Sequence, residues 1–251
     1  MKKLAMVIFS LILLCTFCAK KGGPGLKLVM PNWPDNEINQ YQVLVGTEPV
    51  GSYLLGIRLG EIEEKPTIEL TALTYVKSMA GETKDSTHLV LYQNNLKPIK
   101  SEKILTTMGT MLSSTINYTK DKVFIKAKTP MGEKSVDIPF GINHYDNDEI
   151  TTLLRAVELK PNEEMELGAV TGLGGTSVPI KVKALAMEKL TVPAGEFECN
   201  KYQMSLAGRM IEVFYEKTGM KRMVKYSDPQ SNMTMELVPS KTIEQKEPIR
   251  K

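Results

Sequence analysis

The chain has 251 residues, 42% hydrophobic and 24% charged, with a formal net charge of +3. That supply of apolar surface supports a sizeable core and excludes a globally disordered chain. Without the first 18 residues, which hold Lys2 and Lys3, 30 basic residues face 29 acidic ones. The small positive charge is therefore no signature of nucleic-acid binding.

The N-terminus has the form of a secretory signal. Met1-Lys2-Lys3 is a basic start, and Leu4 to Leu14 is an apolar run broken only by Ser10. The run is shorter than the ~20 residues that span a bilayer, so removal after export fits better than a membrane helix. The cysteine that ends the region resembles a bacterial lipoprotein signal, which implies acylation at Cys18. The usual Leu three residues before that cysteine and the small residue just before it are replaced here by Cys15 and Phe17. Ordinary signal-peptidase cleavage after Cys18 stays open as the alternative. The expected organisation is a signal at 1–18, a tether and irregular lead-in at 19–37, a single β domain at 38–240 and a charged tail at 241–251. The expected location is the periplasmic side of the cell envelope, tied to a membrane through the N-terminal lipid or otherwise soluble.

From residue 40 the chain reads as a succession of strands separated by turns. Gln40 to Val45 ends at Gly46. Tyr53, Leu55, Ile57 and Leu59 share one face of the next segment, since alternate residues of a strand point the same way. Thr67 to Lys77 sends Ile68, Leu70, Ala72 and Val76 inward. Gly81 to Asp85 reads as a turn, followed by a strand His88 to Tyr92 and a second turn at Asn94-Asn95. Further strands are expected at Ile99 to Thr106, Leu112 to Tyr118 and Val123 to Lys128. Then the period changes. Ile150, Leu153, Leu154 and Val157 recur at helical spacing, Asp146 and Glu149 form a capping-box pattern, and Pro161 stops the run. The sequence thus predicts one helix over about 146–158, laid on a sheet face. Strands resume at Glu164 to Val170 and Val178 to Leu190. From Leu190 to Tyr226 a Pro193-Ala194-Gly195 turn opens a long strand and Thr218-Gly219 links two more. A last strand lies near Met233 to Val238. Phe197 and Cys199 differ in parity from Tyr202, Met204 and Leu206, which predicts a bulge near Asn200-Lys201.

Chemistry-bearing residues are sparse. Among the three cysteines only Cys199 lies well inside the mature domain, which excludes a disulfide framework and a cysteine zinc site. Cys199 reads as a buried inert thiol. The two histidines, His88 and His144, show no metal-ligand spacing. The Gly172 to Ser177 stretch lacks the Lys of a phosphate loop and reads as a hairpin turn. No catalytic residue, cofactor or metal is expected. Eight methionines follow residue 160, from Met165 to Met235, and core packing competes with a flexible ligand lining as their role.

Val192-Pro-Ala-Gly195-Glu-Phe197-Glu-Cys199-Asn-Lys201 resembles the hallmark of an exported bacterial family, the domain of unknown function numbered 3108. Leu153 to Ala156 (Leu-Leu-Arg-Ala) and the pattern Tyr41, Val43, Gly46, Val50, Gly51 are similar to further family features. The resemblance covers roughly residues 38–240. It implies a mainly β single domain: a strongly curved antiparallel sheet or incomplete barrel with one helix packed on its concave side, similar in shape to the LolA/LolB-type lipoprotein carriers. By that implication the concave face takes a lipid or acyl ligand, with Leu55, Ile57, Leu70, Leu153, Leu154, Val213 and Tyr215 as the groove candidates. The alternative is a structural or assembly factor of the envelope that works through a protein partner.

Overall fold

A computed structural model describes residues 25–78, 81–206 and 208–239. Eight strands form the first half: β1 (Glu37–Val45), β2 (Glu48–Ile62), β3 (Lys65–Ser78), β4 (Gly81–Tyr92), β5 (Pro98–Thr107), β6 (Thr110–Tyr118), β7 (Lys122–Thr129) and β8 (Gly132–Pro139). Short β9 (His144–Asp146) leads into a helical segment. The second half holds β10 (Glu164–Thr171), β11 (Thr176–Ala184), β12 (Glu188–Val192), β13 (Gly195–Leu206), β14 (Arg209–Glu216), β15 (Met223–Asp228) and β16 (Met233–Leu237). All belong to one curved sheet, antiparallel except where β9 runs parallel to β10. The order runs from β8 back to β1, then β16, β15, β14, β13, β11, β10 and β9, with β12 beside the start of β13.

The first and last strands are therefore neighbours in mid-sheet, with Tyr41 opposite Leu237 and Val45 opposite Met233. Among the described residues the far ends meet by side-chain contacts rather than by a ladder of strand hydrogen bonds. Val170 of β10 packs with Ile116 of β6 and with Val123 and Ile125 of β7. At the following turn the backbone comes so close to β6 that a Cβ on Gly172 would lie 2.4 Å from Ser114 Oγ. This is the strongly curved sheet and incomplete barrel that the family resemblance implies.

The predicted helix is the main revision. Only Ile150–Leu153 is α-helical (α1), flanked by 3-10 turns at Asn147–Glu149 and Leu154–Ala156. The apolar spacing is real, but burial extends well beyond the apolar stripe. Thr152, Arg155 and Ala156 are as buried as Ile150, Leu153 and Leu154. A segment surrounded by sheet takes its shape from the cavity wall rather than from helix propensity. The capping box forms as expected: Asp146 Oδ1 accepts from Asp148 N at 2.8 Å, and Glu149 Oε1 from Asp146 N at 2.7 Å.

Three local expectations also change. Gly81 to Asp85 is not a turn; it is the first part of β4, with Gly81 opposite Ser78. The segment Val178 to Leu190 is two strands, β11 and β12, both paired with β13. No bulge interrupts β13 against β14, whose register is continuous from Cys199 to Leu206. The change of parity has another cause. Cys199 is buried on the same side of the sheet as Phe214, whereas Tyr202 and Met204 face the hollow. Each half of β13 buries a different face.

Candidate functional site

The hollow is lined by one parity of each strand. Glu37, Asn39 and Tyr41 of β1 lie opposite Ile57, Leu55 and Tyr53 of β2. Leu70 follows on β3, and Val213 and Tyr215 stand across from them on β14. The residues from Asn147 to Ala156 fill this space as a plug. All seven groove candidates fall in one apolar cluster and are at most 3% exposed. Leu55, Ile57, Leu70, Val213 and Tyr215 are wall, and Leu153 and Leu154 are plug. The structure brings the seven together as a filled interior rather than an open trough.

Polar contacts fix the plug at both ends. Toward its C-terminal end, Tyr215 Oη donates to Thr151 O at 2.7 Å and Tyr202 Oη to Val157 O at 3.0 Å. Val29 N reaches Ala156 O at 2.7 Å. Arg155 Nη2 donates to Glu37 Oε2 at 3.0 Å and to Met220 O at 2.7 Å, with its guanidinium 4.6 Å from the centre of the Trp33 ring. This ion pair is almost completely buried. Nε and Nη1 of Arg155 have no hydrogen-bond partner among the described residues, nor has Trp33 Nε1 or Tyr41 Oη. Buried donors left so are uncommon and costly.

At the N-terminal end the anchor is acidic. Tyr118 Oη donates to Asp146 Oδ2 at 2.6 Å, and Lys103 Nζ joins Asp148 at 3.0 Å and Asp85 at 2.9 Å. Burial, with Asp148 nearby, pushes the Asp146 carboxyl up to about 6. Burial, with Asp146 nearby, raises Glu149 well above the usual carboxylate range. Lys97 donates to Ile142 O and His144 O, and burial lowers its ammonium to about 8. These groups cap and tether the plug. Among the described residues no group of three or more His, Cys, Asp or Glu is placed to hold a metal ion.

Open space remains beyond the plug's C-terminal end. A cavity of about 560 Å³ lies between the chain after Val157, the N-terminal segment at Lys27 and Val29, and β13–β14. Its apolar lining includes Leu154, Val157, Leu159, Tyr202 and Tyr215. Two of these, Leu154 and Tyr215, are groove candidates, so the cavity opens onto the filled interior. Cys18 lies outside the described residues. Cys199 is a fully buried thiol pushed up to about 11 by burial, the inert role its sequence context suggests. The later methionines do not line one groove: Met204 and Met223 are in the core, whereas Met187 and Met210 are exposed. Sequence reasoning missed Arg155 and Glu37 as a pair. The available signal was a lone charge inside the apolar 150–157 run.

A curved, incompletely closed β barrel with a buried plug defines the class of protein. The chain belongs to the family described as "Protein of unknown function (DUF3108)", which it matches over residues 40–242. Among solved structures it is similar to a β-barrel-like protein of domain of unknown function DUF1849 from Brucella abortus. That likeness has a TM-score of 0.53 and 10% identity, covers 80% of this chain and 95% of the other, and shows the shared fold. A protein from Bacteroides fragilis described as exported and YmcC-like in fold matches at 10% identity over 85% of this chain and 99% of its own. Its TM-score of 0.32 is too low to carry an argument. No curated protein matches the chain.

Proposed function

We propose that this is an exported envelope protein with a binding rather than a catalytic role, which takes a hydrophobic chain at the end of its hollow. The observation that carries the reading is the cavity beside the plug, whose wall passes through Leu154 and Tyr215 into the apolar interior. Its volume is in the ~300–1,000 Å³ range of small-molecule sites. Burial of about 0.8 kcal/mol per CH₂ gives a short acyl chain ample gross driving force before ordering costs. A longer chain would need the plug to move away from Leu55, Ile57, Leu70 and Val213. Anchoring through an acylated Cys18 would place the domain beside a membrane; among the described residues no helix is long and apolar enough to cross one.

Native mass spectrometry of the full chain purified from envelope in mild detergent tests the binding claim. Co-purifying acyl species are expected, and their loss on Tyr202→Trp, which narrows the cavity. A protein that neither retains nor takes up any acyl lipid would refute it. Palmitate labelling of wild type against Cys18→Ser tests the anchor separately.

One observation favours a second reading, an assembly factor that binds a protein partner. Leu73, Tyr75, Ile104 and Met111 are exposed on the convex face of neighbouring strands, with Met108 at their edge. Co-purification of a defined envelope protein, lost on Ile104→Lys with Met111→Lys, would favour that reading.

A further inference from the structure

We propose that the cavity at the C-terminal end of the plug selects an amphiphile with an acidic headgroup, a phosphate or carboxylate carried on a single acyl chain. The inference rests on the hydrophobic-ligand reading above and adds the chemistry of the polar end.

The charges around the cavity are uneven. Four lysines line it, at positions 27, 160, 217 and 221, together with Arg155, against Glu158, Glu163 and Glu216. Most of the acids are committed. Glu158 pairs with Lys221 at 3.1 Å, and Glu216 is held by Arg222 from outside the lining. Glu163 accepts the backbone N–H of Lys160 at 2.8 Å. Lys217 reaches outward to Glu198 at 3.2 Å, where both side chains are solvent-exposed and the pair is weak. Lys27 and Lys160 have no ion-pair partner among the described residues. The cavity is thus ringed by cations in excess over the acids free to meet them.

The second observation lies on the inner wall. Arg155 lines the cavity, is almost fully buried, and uses only Nη2 for hydrogen bonds; Nε and Nη1 are left over. A buried guanidinium with two unused donors suits an oxyanion, which accepts charge-assisted hydrogen bonds in pairs. Val157, Leu159 and Tyr202 also line the cavity and offer apolar surface for the first part of a chain. The position also fits delivery from a lipid surface. Lys27 lies nine positions after Cys18, at most about 30 Å of extended chain, so an anchored domain would hold this mouth close to headgroups.

Isothermal titration of the full chain with single-chain lipids tests the proposal. The probes are lysophosphatidylglycerol, myristate, the zwitterionic lysophosphatidylcholine, and inorganic phosphate. Either anionic lipid should bind about tenfold or more tighter than lysophosphatidylcholine, the scale of one charge-assisted hydrogen bond. The preference should vanish in Lys160→Glu with Lys217→Glu, two exposed positions whose reversal leaves the melting temperature in place. It should survive Lys128→Glu with Lys134→Glu on the distant β7–β8 edge. A tighter lysophosphatidylglycerol identifies a phosphate headgroup and a tighter myristate a carboxylate. Equal affinity for anionic and zwitterionic lipids overturns the headgroup inference and leaves the hydrophobic reading intact. Binding of inorganic phosphate as tight as that of the lipids overturns the amphiphile in favour of a free anion. Binding of none of the lipids overturns both readings together.

Discussion

Arg155 and Glu37 are the residues on which the plug turns. A charge at the centre of a fold is tolerated only with a partner, and here each is the other's main one. Arg155→Ala would leave Glu37 buried with Asn39 Nδ2, 2.5 Å away, as its side-chain donor among the described residues. The expected cost is about 3–5 kcal/mol, whereas Arg155→Met with Glu37→Gln should recover most of it, because breaking a buried pair costs more than replacing it. Urea midpoints of the two variants check this, and equal losses would contradict it. The acidic end gives a pH prediction. Burial raises Asp146 to about 6, so between about pH 4 and 6 the folded chain holds a proton that an unfolded Asp146 has released. Its stabilising contribution is complete at the acid end and lost as pH rises. Asp146→Asn can still accept at the cap and does not titrate. Its stability relative to wild type should therefore improve as pH rises from about 4 to about 7. Asp148, Glu149, Tyr118, Lys97 and Lys103 share this environment, so the difference between the two proteins, not either curve alone, is the readout.

At the scale of elements, two glycines on one strand separate close approach from mere permissiveness. A Cβ on Gly51 would lie 1.9 Å from the Tyr75 carbonyl oxygen across the β2–β3 pair. A Cβ on Gly56 would meet nothing closer than 3.7 Å. Gly51→Ala should cost about 1–3 kcal/mol or more by forcing the strands apart, and Gly56→Ala should be close to neutral. Thermal melts of the pair decide it; equal effects would mean that β2 and β3 readily slide. The elements were legible in proportion to how simply each was covered. Strands with one wet face, such as β7, show their alternation in the sequence and were found. The strand β8 is mostly exposed and carries no strong pattern; it was missed. Enclosed by the sheet with none of its residues exposed, the 147–156 segment kept its apolar spacing yet lost most of its α-helix. The seven groove candidates lie together in one buried cluster, but nothing in a strand's period says whether the facing space is open or filled. That depends on a segment about a hundred residues away. The cavity itself is built largely from loop ends and lysines, which one-dimensional patterns leave indistinct from solvated surface.

At the scale of the molecule, the seam between β1 and β16 joins the two halves of the sheet. Removal of residues 233–251 would expose the β1 edge along Tyr41, Val43 and Val45 and uncover one flank of β15. The truncated chain should fail to give native amide-exchange protection in β1 and β15, and a peptide spanning 231–239 added in trans should restore part of it. Protection unchanged by the truncation would mean that the halves fold separately. The seam also has a consequence in time. A chain delivered N-terminus first presents β1 and the seven strands that follow it in hairpin succession long before the strand that covers the other flank of β1 arrives. Through that interval a bare strand edge and a half-lined hollow face the surroundings, the condition in which β proteins associate with copies of themselves. Refolding yield should accordingly fall with protein concentration, and its slow step should be the arrival of the last strand. For a chain that emerges N-terminus first, the hazardous moment is the one just before its final strand appears.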